Sequence, residues 1–338
     1  MTAAWYAPLV AQLKDLPGPD TTALSDARAH QARLTKPAGA LGRLEDVAIW
    51  LAGWQASTWP RLRRVNCLVF AGNHGVASRG VSAYPATVTA QMVSNFEAGG
   101  AAINQLCGVF GADLNVIPLQ LDQPTADLTA SPAMTPQDCA DAFRCGQYAV
   151  MEGRDLLILG EMGIGNTTAA AALCAALFGG GGADWAGPGT GVADARLAHK
   201  AALIDTALAR YREAASTHPF EALRQLGGRE LAAIAGAVAA ARRARIPVLL
   251  DGFVCTAAAA VLVGPAPDAL DHCLAAHVSA EPGHRRLLDR LGLRPLLDLG
   301  MRLGEASGAA MALGVLRGAV ATHGGMATFD TAGVDTRA

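Results

Sequence analysis

Two stretches of this chain combine residue types that can do chemistry. The first, Gly160-Glu161-Met162-Gly163-Ile164-Gly165-Asn166-Thr167-Thr168, follows an apolar run and leads into an Ala-rich one. Gly163 and Gly165 allow positive φ and a close approach of backbone N–H groups, and Asn166, Thr167 and Thr168 add side-chain donors where a helix begins. A helix start favours an anion through its free N–H groups and its dipole, so a phosphate fits here. An ordinary N-cap and tight turn would use the same residues. No Lys precedes the Thr pair, so this is not a Walker A loop, and the glycine spacing is not that of a dinucleotide fingerprint. The second stretch, Leu303-Gly304-Glu305-Ala306-Ser307-Gly308-Ala309, places a carboxylate at the head of an apolar run expected to be helical over 305–322. Glu305 there is either a first-turn residue favoured by the helix dipole, worth under ~1 kcal/mol, or a proton acceptor. Spacing leaves the two level.

Weaker signals surround these. Gly187-Pro188-Gly189-Thr190-Gly191-Val192 precedes a helical stretch carrying Lys200 and could complete an anion site, although a lone Lys on a helix is more often a solvated surface residue. Gly72-Asn73-His74-Gly75, Asp251-Gly252-Phe253 and Ser279-Ala280-Glu281-Pro282-Gly283-His284 also end apolar runs with Gly and polar groups. His74 reads as structural, a ring bonding the backbone of a tight turn, and His277 and His284 read likewise. Arg242, Arg243 and Arg245 read as surface charge at a helix C-terminus, and Trp50 and Trp54 as core or interface packing.

Apolar or β-branched runs at 65–70, 114–119, 156–159, 246–250 and 273–278 alternate with helical patterns at 88–109, 136–152, 167–178, 195–215, 230–243, 256–263 and 305–322. Strands that are apolar throughout and joined by helices imply a parallel sheet covered on both faces, an α/β fold that binds ligands at the carboxyl ends of its strands. Ahead of them, 26–34 and 41–54 have helical spacing, separated by Lys36-Pro37-Ala38-Gly39. Gly179-Gly180-Gly181-Gly182 marks a loop.

Composition narrows the class. With 51% apolar and 17% charged residues the chain can bury a large core and is not disordered. Aromatics are only 5%, so that core is built from small aliphatic side chains, which suits helices packed closely on a sheet. A formal charge of −2 and the lack of a basic stripe argue against nucleic acid. The apolar stretches are too short to span a membrane, and residues 1–20 lack a secretory pattern, so a cytoplasmic location is expected. Seven scattered cysteines without CxxC or Cys/His ligand spacing favour reduced thiols over disulfides or a zinc site.

Taken together the chain resembles the nicotinate-nucleotide–dimethylbenzimidazole phosphoribosyltransferases of cobalamin biosynthesis. The resemblance runs in order from about residue 30 to the end. It is carried by Lys36-Pro37-Ala38-Gly39-Ala40-Leu41-Gly42-Arg43-Leu44, Gly72-Asn73-His74-Gly75-Val76, Val81-Ser82-Ala83-Tyr84-Pro85 and Thr89-Ala90-Gln91-Met92. The Gly160–Thr168 stretch quoted above, Gly189-Thr190-Gly191, Leu250-Asp251-Gly252-Phe253, Ala276-His277-Val278-Ser279, Leu296 through Glu305 and Met326-Ala327-Thr328-Phe329 complete it. It departs from the family pattern at Ala306-Ser307 and by one acid in Gly191-Val192-Ala193-Asp194.

The resemblance implies transfer of 5-phosphoribose from nicotinate mononucleotide to 5,6-dimethylbenzimidazole, giving α-ribazole 5′-phosphate and nicotinate. It assigns Glu305 as proton acceptor. Ribose and phosphate contacts are Glu161, Gly163, Gly165, Asn166, Thr167, Thr168, Gly189, Thr190, Gly191, Lys200 and Ser279. The base pocket takes Ser82, Tyr84, Gln91 and Leu303. No cofactor or metal is implied, since no pyrophosphate is displaced. It further implies a homodimer with a Rossmann-like domain (61–300) and a small helical part built from 1–60 and 301–338. Two other readings stay open: a related transferase with another base or a phenol as acceptor, and a non-catalytic nucleotide sensor.

Overall fold

The computed structural model describes residues 4–213 and 218–335. Its centre is a run of β-branched and apolar residues that can be buried on both faces only between helices. Among the described residues five strands, β1 (Val65–Ala71), β2 (Asp113–Pro118), β3 (Leu156–Met162), β4 (Val248–Leu250) and β5 (Cys273–Ala275), pair in parallel in the order β2-β1-β3-β4-β5. β1 and β3 are buried at every position, while the edge strand β2 alternates toward solvent. The register sets Phe70 beside Glu161 and Leu159 beside Leu250.

The helices run in chain order as α1 (Ala7–Ala11), α2 (Thr21–Arg33), α3 (Arg43–Trp54), α4 (Thr87–Glu97), α5 (Ala102–Phe110), α6 (Pro136–Ala149), α7 (Asn166–Phe178) and α8 (Gly182–Trp185). They continue with α9 (Asp194–Glu213), α10 (Pro219–Leu226), α11 (Arg229–Arg243), α12 (Phe253–Ala260), α13 (Pro282–Leu291), α14 (Ser307–Gly325) and α15 (Phe329–Ala332). Because successive strand side chains point to opposite faces, the sheet divides the core. Leu68, Phe70, Leu157, Leu159 and Leu250 meet α6, α7, α10, α11 and α12 on one face. Val65, Cys67, Val69, Ile158 and Leu249 meet α3, α4, α5 and α14 on the other. The result is a Rossmann-like α/β fold.

Several element limits differ from the sequence pattern for local reasons. The helix expected over 88–109 is two, α4 and α5, because Gly99 takes a left-handed φ of +77° and Asn104 accepts the Ala101 N–H at 3.1 Å to start the second. The last long helix begins at Ser307, not Glu305, since Glu305 and Ala306 both have positive φ. The Gly-rich loop ends at Gly181, and Gly182 opens α8. The short helices α10 and α13, each opened by Pro at its first turn, had no long periodic signal to announce them. The expected helix end at 214–215 lies outside the described residues.

Arg242 corrects the surface reading. It is buried, ion-paired to Asp268 at 3.0 Å, with its guanidinium 4.6 Å from the Trp54 ring centroid. Nearly every position of α11 is buried, and Arg242 lies on its inward side, toward Trp54. Arg243 and Arg245 are exposed. Trp54 is core, whereas Trp50 is half-buried and donates to the Asp271 carbonyl.

α2 and α3 meet the C-terminal helices, whereas α1, expected in the same small helical part, packs on the other face of the sheet with Leu9 and Leu13 in the core of α6 and α11. Gln31 donates to His323 Nδ1 at 2.9 Å, which leaves the His323 Nε2–H to bond the Thr58 carbonyl. Leu34 bridges Thr328 in antiparallel fashion, and α3 packs on α14.

α6 and α11 cross at a reciprocal pair of glycines. A Cβ on Gly146 would overlap the Ala233 carbonyl, and one on Gly236 the Phe143 carbonyl. Gly146→Ala is therefore expected to cost about 2–3 kcal/mol through overpacking. Gly108→Ala, on an exposed helical position with open space, should instead stabilise by about 0.5–1 kcal/mol. Urea midpoints of the two variants check both signs.

Candidate active site

The strand order reverses direction between β1 and β3, and crevices at such a switch point bind ligands in doubly wound sheets. A cleft of about 860 Å³ opens beside it, over the carboxyl ends of β3, β4 and β5. Its floor is the end of β3. Glu161 is the second-last residue of that strand, and its side chain accepts a hydrogen bond from the Asn166 amide at the start of α7. Burial, then the Asp251 and Glu230 carboxylates, hold the Glu161 carboxyl well above the usual range.

Glu305 is laid over this floor by backbone geometry. Its N–H donates to the Glu161 carbonyl at 3.1 Å, and Gly160 lacks a Cβ where Ala306 crosses it. The positive φ of Glu305 (61°) and Ala306 (64°) turns the carboxylate into the cleft before α14 starts. Both are left-handed non-glycine residues, a costly conformation that persists only where packing imposes it. Glu305 is 5% exposed. Burial, helped by Asp251, pushes its carboxyl up to about 7. A carboxylate so placed can take a proton near neutral pH.

Asp251, at the end of β4, links these groups. Its Oδ1 accepts the Ala309 N–H at 2.8 Å in the first turn of α14, and His277 Nε2 stands 3.5 Å from the same oxygen. Further along, Ser279 N–H donates to His284 Nδ1 at 2.9 Å, so the ring proton is on Nε2 and bonds Thr256 Oγ1, which donates to the Gly252 carbonyl. Burial pushes His284 down to about 3, so this relay is neutral and fixes the Ser279 and Gly252 loops against each other.

The opposite wall is the loop before α9. Gly189 N–H donates to Glu281 Oε1 at 2.8 Å, and Arg302 donates to the Gly189 carbonyl at 2.9 Å. Thr190 Oγ1 lies 2.9 Å from Ser82 Oγ and accepts the Ala83 N–H. Lys200 is fully buried beneath, donating to Thr167 Oγ1 at 2.8 Å and to the Gly187 carbonyl at 2.9 Å. Burial pushes its ammonium down to about 8, with the Glu281 carboxylate acting the other way. The solvated-surface reading of Lys200 is thus overturned.

Glu305, Glu161, Gly163, Gly165, Asn166 and Thr167 share the cleft wall. So do Gly189, Thr190, Ser279 and Ser82, with Tyr84 and Leu303 half-exposed at the mouth. Thr168 is buried behind the turn, and Gly191 faces solvent on the outer side of its loop. Gln91 does not line the cleft: on α4 the lining positions are Val88, Met92 and Asn95, and Gln91 lies at the solvent edge of that arc. His74 is structural, but its ring bonds the buried Glu230 carboxylate rather than backbone. Three neighbours had no assigned role in the sequence. Asp251 and Glu281 carried a signal, an acid directly after an apolar run and an acid before Pro in a polar loop. Glu230, in the first turn of α11, carried none.

Residues 16–334 match the phosphoribosyltransferase family. A nicotinate-nucleotide–dimethylbenzimidazole phosphoribosyltransferase of Novosphingobium aromaticivorans is 59% identical over 324 residues, 96% of each chain. One of Roseobacter denitrificans is 59% identical over 323 residues, 95% of each. Among solved structures, CobT from Thermus thermophilus superposes with a TM-score of 0.88 at 44% identity, covering 94% of this chain and 100% of that one.

Glu305 binds its proton more tightly in the folded chain than at its usual value near 4.5. The stability this contributes is present below about pH 4.5 and is lost as pH rises through about 7. Glu305→Gln, which cannot ionise, is expected to melt higher than the parent at pH 8, with the gap closing toward pH 4.5. A gap that does not change with pH in thermal melts would contradict the burial described.

Proposed function

This chain belongs to the phosphoribosyltransferase family, and from that membership we propose that it transfers the phosphoribosyl group of nicotinate mononucleotide to 5,6-dimethylbenzimidazole, giving α-ribazole 5′-phosphate and nicotinate for cobalamin assembly. The observation that carries the reading is a single buried carboxylate, Glu305, whose affinity for a proton is tuned to about 7 inside the cleft.

The chemistry asks for one base. The leaving pyridinium nitrogen is already cationic, so the C–N bond breaks with the electron pair returning to the ring and no proton needed. The attacking imidazole nitrogen gains positive charge unless the opposite N–H is deprotonated, and Glu305 takes that proton. A direct displacement inverts the anomeric carbon from β to α. Gly163, Gly165, Asn166, Thr167, Gly189 and Thr190 hold the sugar phosphate, with Lys200 beneath them as the charge, and Glu161 and Ser279 face the ribose. Thr168 and Gly191 support those turns from behind and outside. Ser82, Tyr84 and Leu303 border the acceptor ring. Such fixing brings the reacting atoms together and lowers the barrier entropically.

Work in the cytoplasm as a homodimer, without nucleic acid or membrane partners, completes the reading. Seven unpaired cysteines support the location, and among the described residues no helix is long and apolar enough to cross a membrane.

Purified protein is expected to release nicotinate from the mononucleotide only when dimethylbenzimidazole is present; release without it would indicate a hydrolase. Glu305→Gln should lower kcat by about 10²–10⁴ while the donor still binds, and an unchanged turnover would remove Glu305 from the mechanism. In the parent, kcat/KM should rise through pH 7 as Glu305 ionises and fall past pH 8 as Lys200 loses its proton. Lys200→Ala should act mainly on the KM for the nucleotide, and a pure kcat effect would contradict a binding role.

A further inference from the structure

Nicotinate mononucleotide carries two anionic groups, a phosphate on the sugar and a carboxylate on the leaving ring. The wall that must receive them is acidic: Glu161, Glu281 and Glu305 all line the cleft. An anion taken out of water among acids is disfavoured unless a cation meets it. The phosphate is provided for by the N–H groups of the glycine turns, with Lys200 fully buried beneath them. The ring carboxylate has no such provision in those turns.

Arg302 is the cation within reach. Among the described residues it is the one lysine or arginine in the cleft wall, and it is exposed there. Its guanidinium makes a single hydrogen bond among those residues, to the Gly189 carbonyl at 2.9 Å, and no acid among them pairs with it. Asp298, in the same loop, pairs instead with Arg285 at 3.0 Å. Most donors of the planar fork are therefore free, and that fork matches a carboxylate. The backbone beneath is fixed. The Met301 carbonyl accepts the Ala280 N–H at 2.9 Å, the Glu305 N–H bonds the Glu161 carbonyl, and Gly300 and Gly304 turn the chain with positive φ on either side. In a direct displacement the leaving ring stands across the ribose from the acceptor. Glu305 stays on the acceptor's side, while Arg302 crosses from the same loop to the wall before α9.

We propose that Arg302 pairs with the carboxylate of the leaving nicotinate and so makes the site select nicotinate mononucleotide over its uncharged carboxamide counterpart, an assignment that rests on the phosphoribosyl-transfer reading. The test compares kcat/KM for nicotinate mononucleotide and nicotinamide mononucleotide, with dimethylbenzimidazole as acceptor, in the parent and in Arg302→Gln. The parent should prefer the nicotinate donor by about 10- to 100-fold, the size of a hydrogen bond between charged groups. In Arg302→Gln the nicotinate donor should lose about that factor, the nicotinamide donor should stay within about threefold of the parent, and the preference should vanish. Arg302 is exposed and gives up one hydrogen bond, so the variant is expected to fold.

An equal loss with both donors would overturn the proposal and give Arg302 to the phosphate that both carry. An unchanged preference in Arg302→Gln would overturn it too, and leave the side chain as a fastening for the Gly189 loop. A second measurement needs no turnover: free nicotinate, titrated calorimetrically, should bind the variant more weakly than the parent, and equal binding would count against the pairing. No turnover of either donor by the parent would instead defeat the transfer reading itself, with the nicotinate titration still deciding the role of Arg302.

Discussion

The hydrogen bond from the Glu305 N–H to the Glu161 carbonyl fastens the last long loop of the chain onto the tip of the central strand, and much of the cleft follows from it. It can form because Gly160 has no side chain where Ala306 crosses, and it holds two consecutive left-handed residues that would otherwise relax. Asp251, from the neighbouring strand, anchors the first turn of α14 and so fixes the loop from its other end. Without both fastenings the Glu305 carboxylate would swing toward water and regain an ordinary proton affinity.

The electrostatic consequence is crowding of acids. Glu161, Glu230, Asp251 and Glu305 converge near the switch point of the sheet, and burial together with mutual repulsion raises Glu161 and Glu305. Cationic support is kept apart, on the far wall, where Lys200 lies under the glycine loop beside Glu281. The cleft thus has one side suited to proton acceptance and another suited to an anion, on a scaffold whose small side chains let helices pack closely behind each.

Much of this was legible in the residues. Apolar runs joined by helical patterns implied a parallel sheet, and the glycine-rich strand ends pointed to the cleft. The role of Glu305 was open, because spacing cannot tell a dipole-stabilised first-turn residue from one turned aside by backbone strain; only the φ values separate them. The residue pattern could not show that Lys200 and Arg242 are buried, for a common reason. Their burial is set by elements distant in sequence, the Gly187 and Thr167 oxygens in one case and Trp54 with Asp268 in the other. Gln91 missed because a helix arc's edge depends on what packs against it.

The clasp between α2 and the end of α14 has a bearing on how the protein is made. Gln31 and His323 are 292 positions apart, and the apolar stripe of α3, with Val47, Ala48 and Leu51, is covered by α14. Emerging from a ribosome, α2 and α3 come out early and meet their partner almost last. The nascent chain must carry that greasy stripe uncovered through most of translation, so assembly runs from the sheet outward and the Glu305 loop is set in place only as synthesis ends.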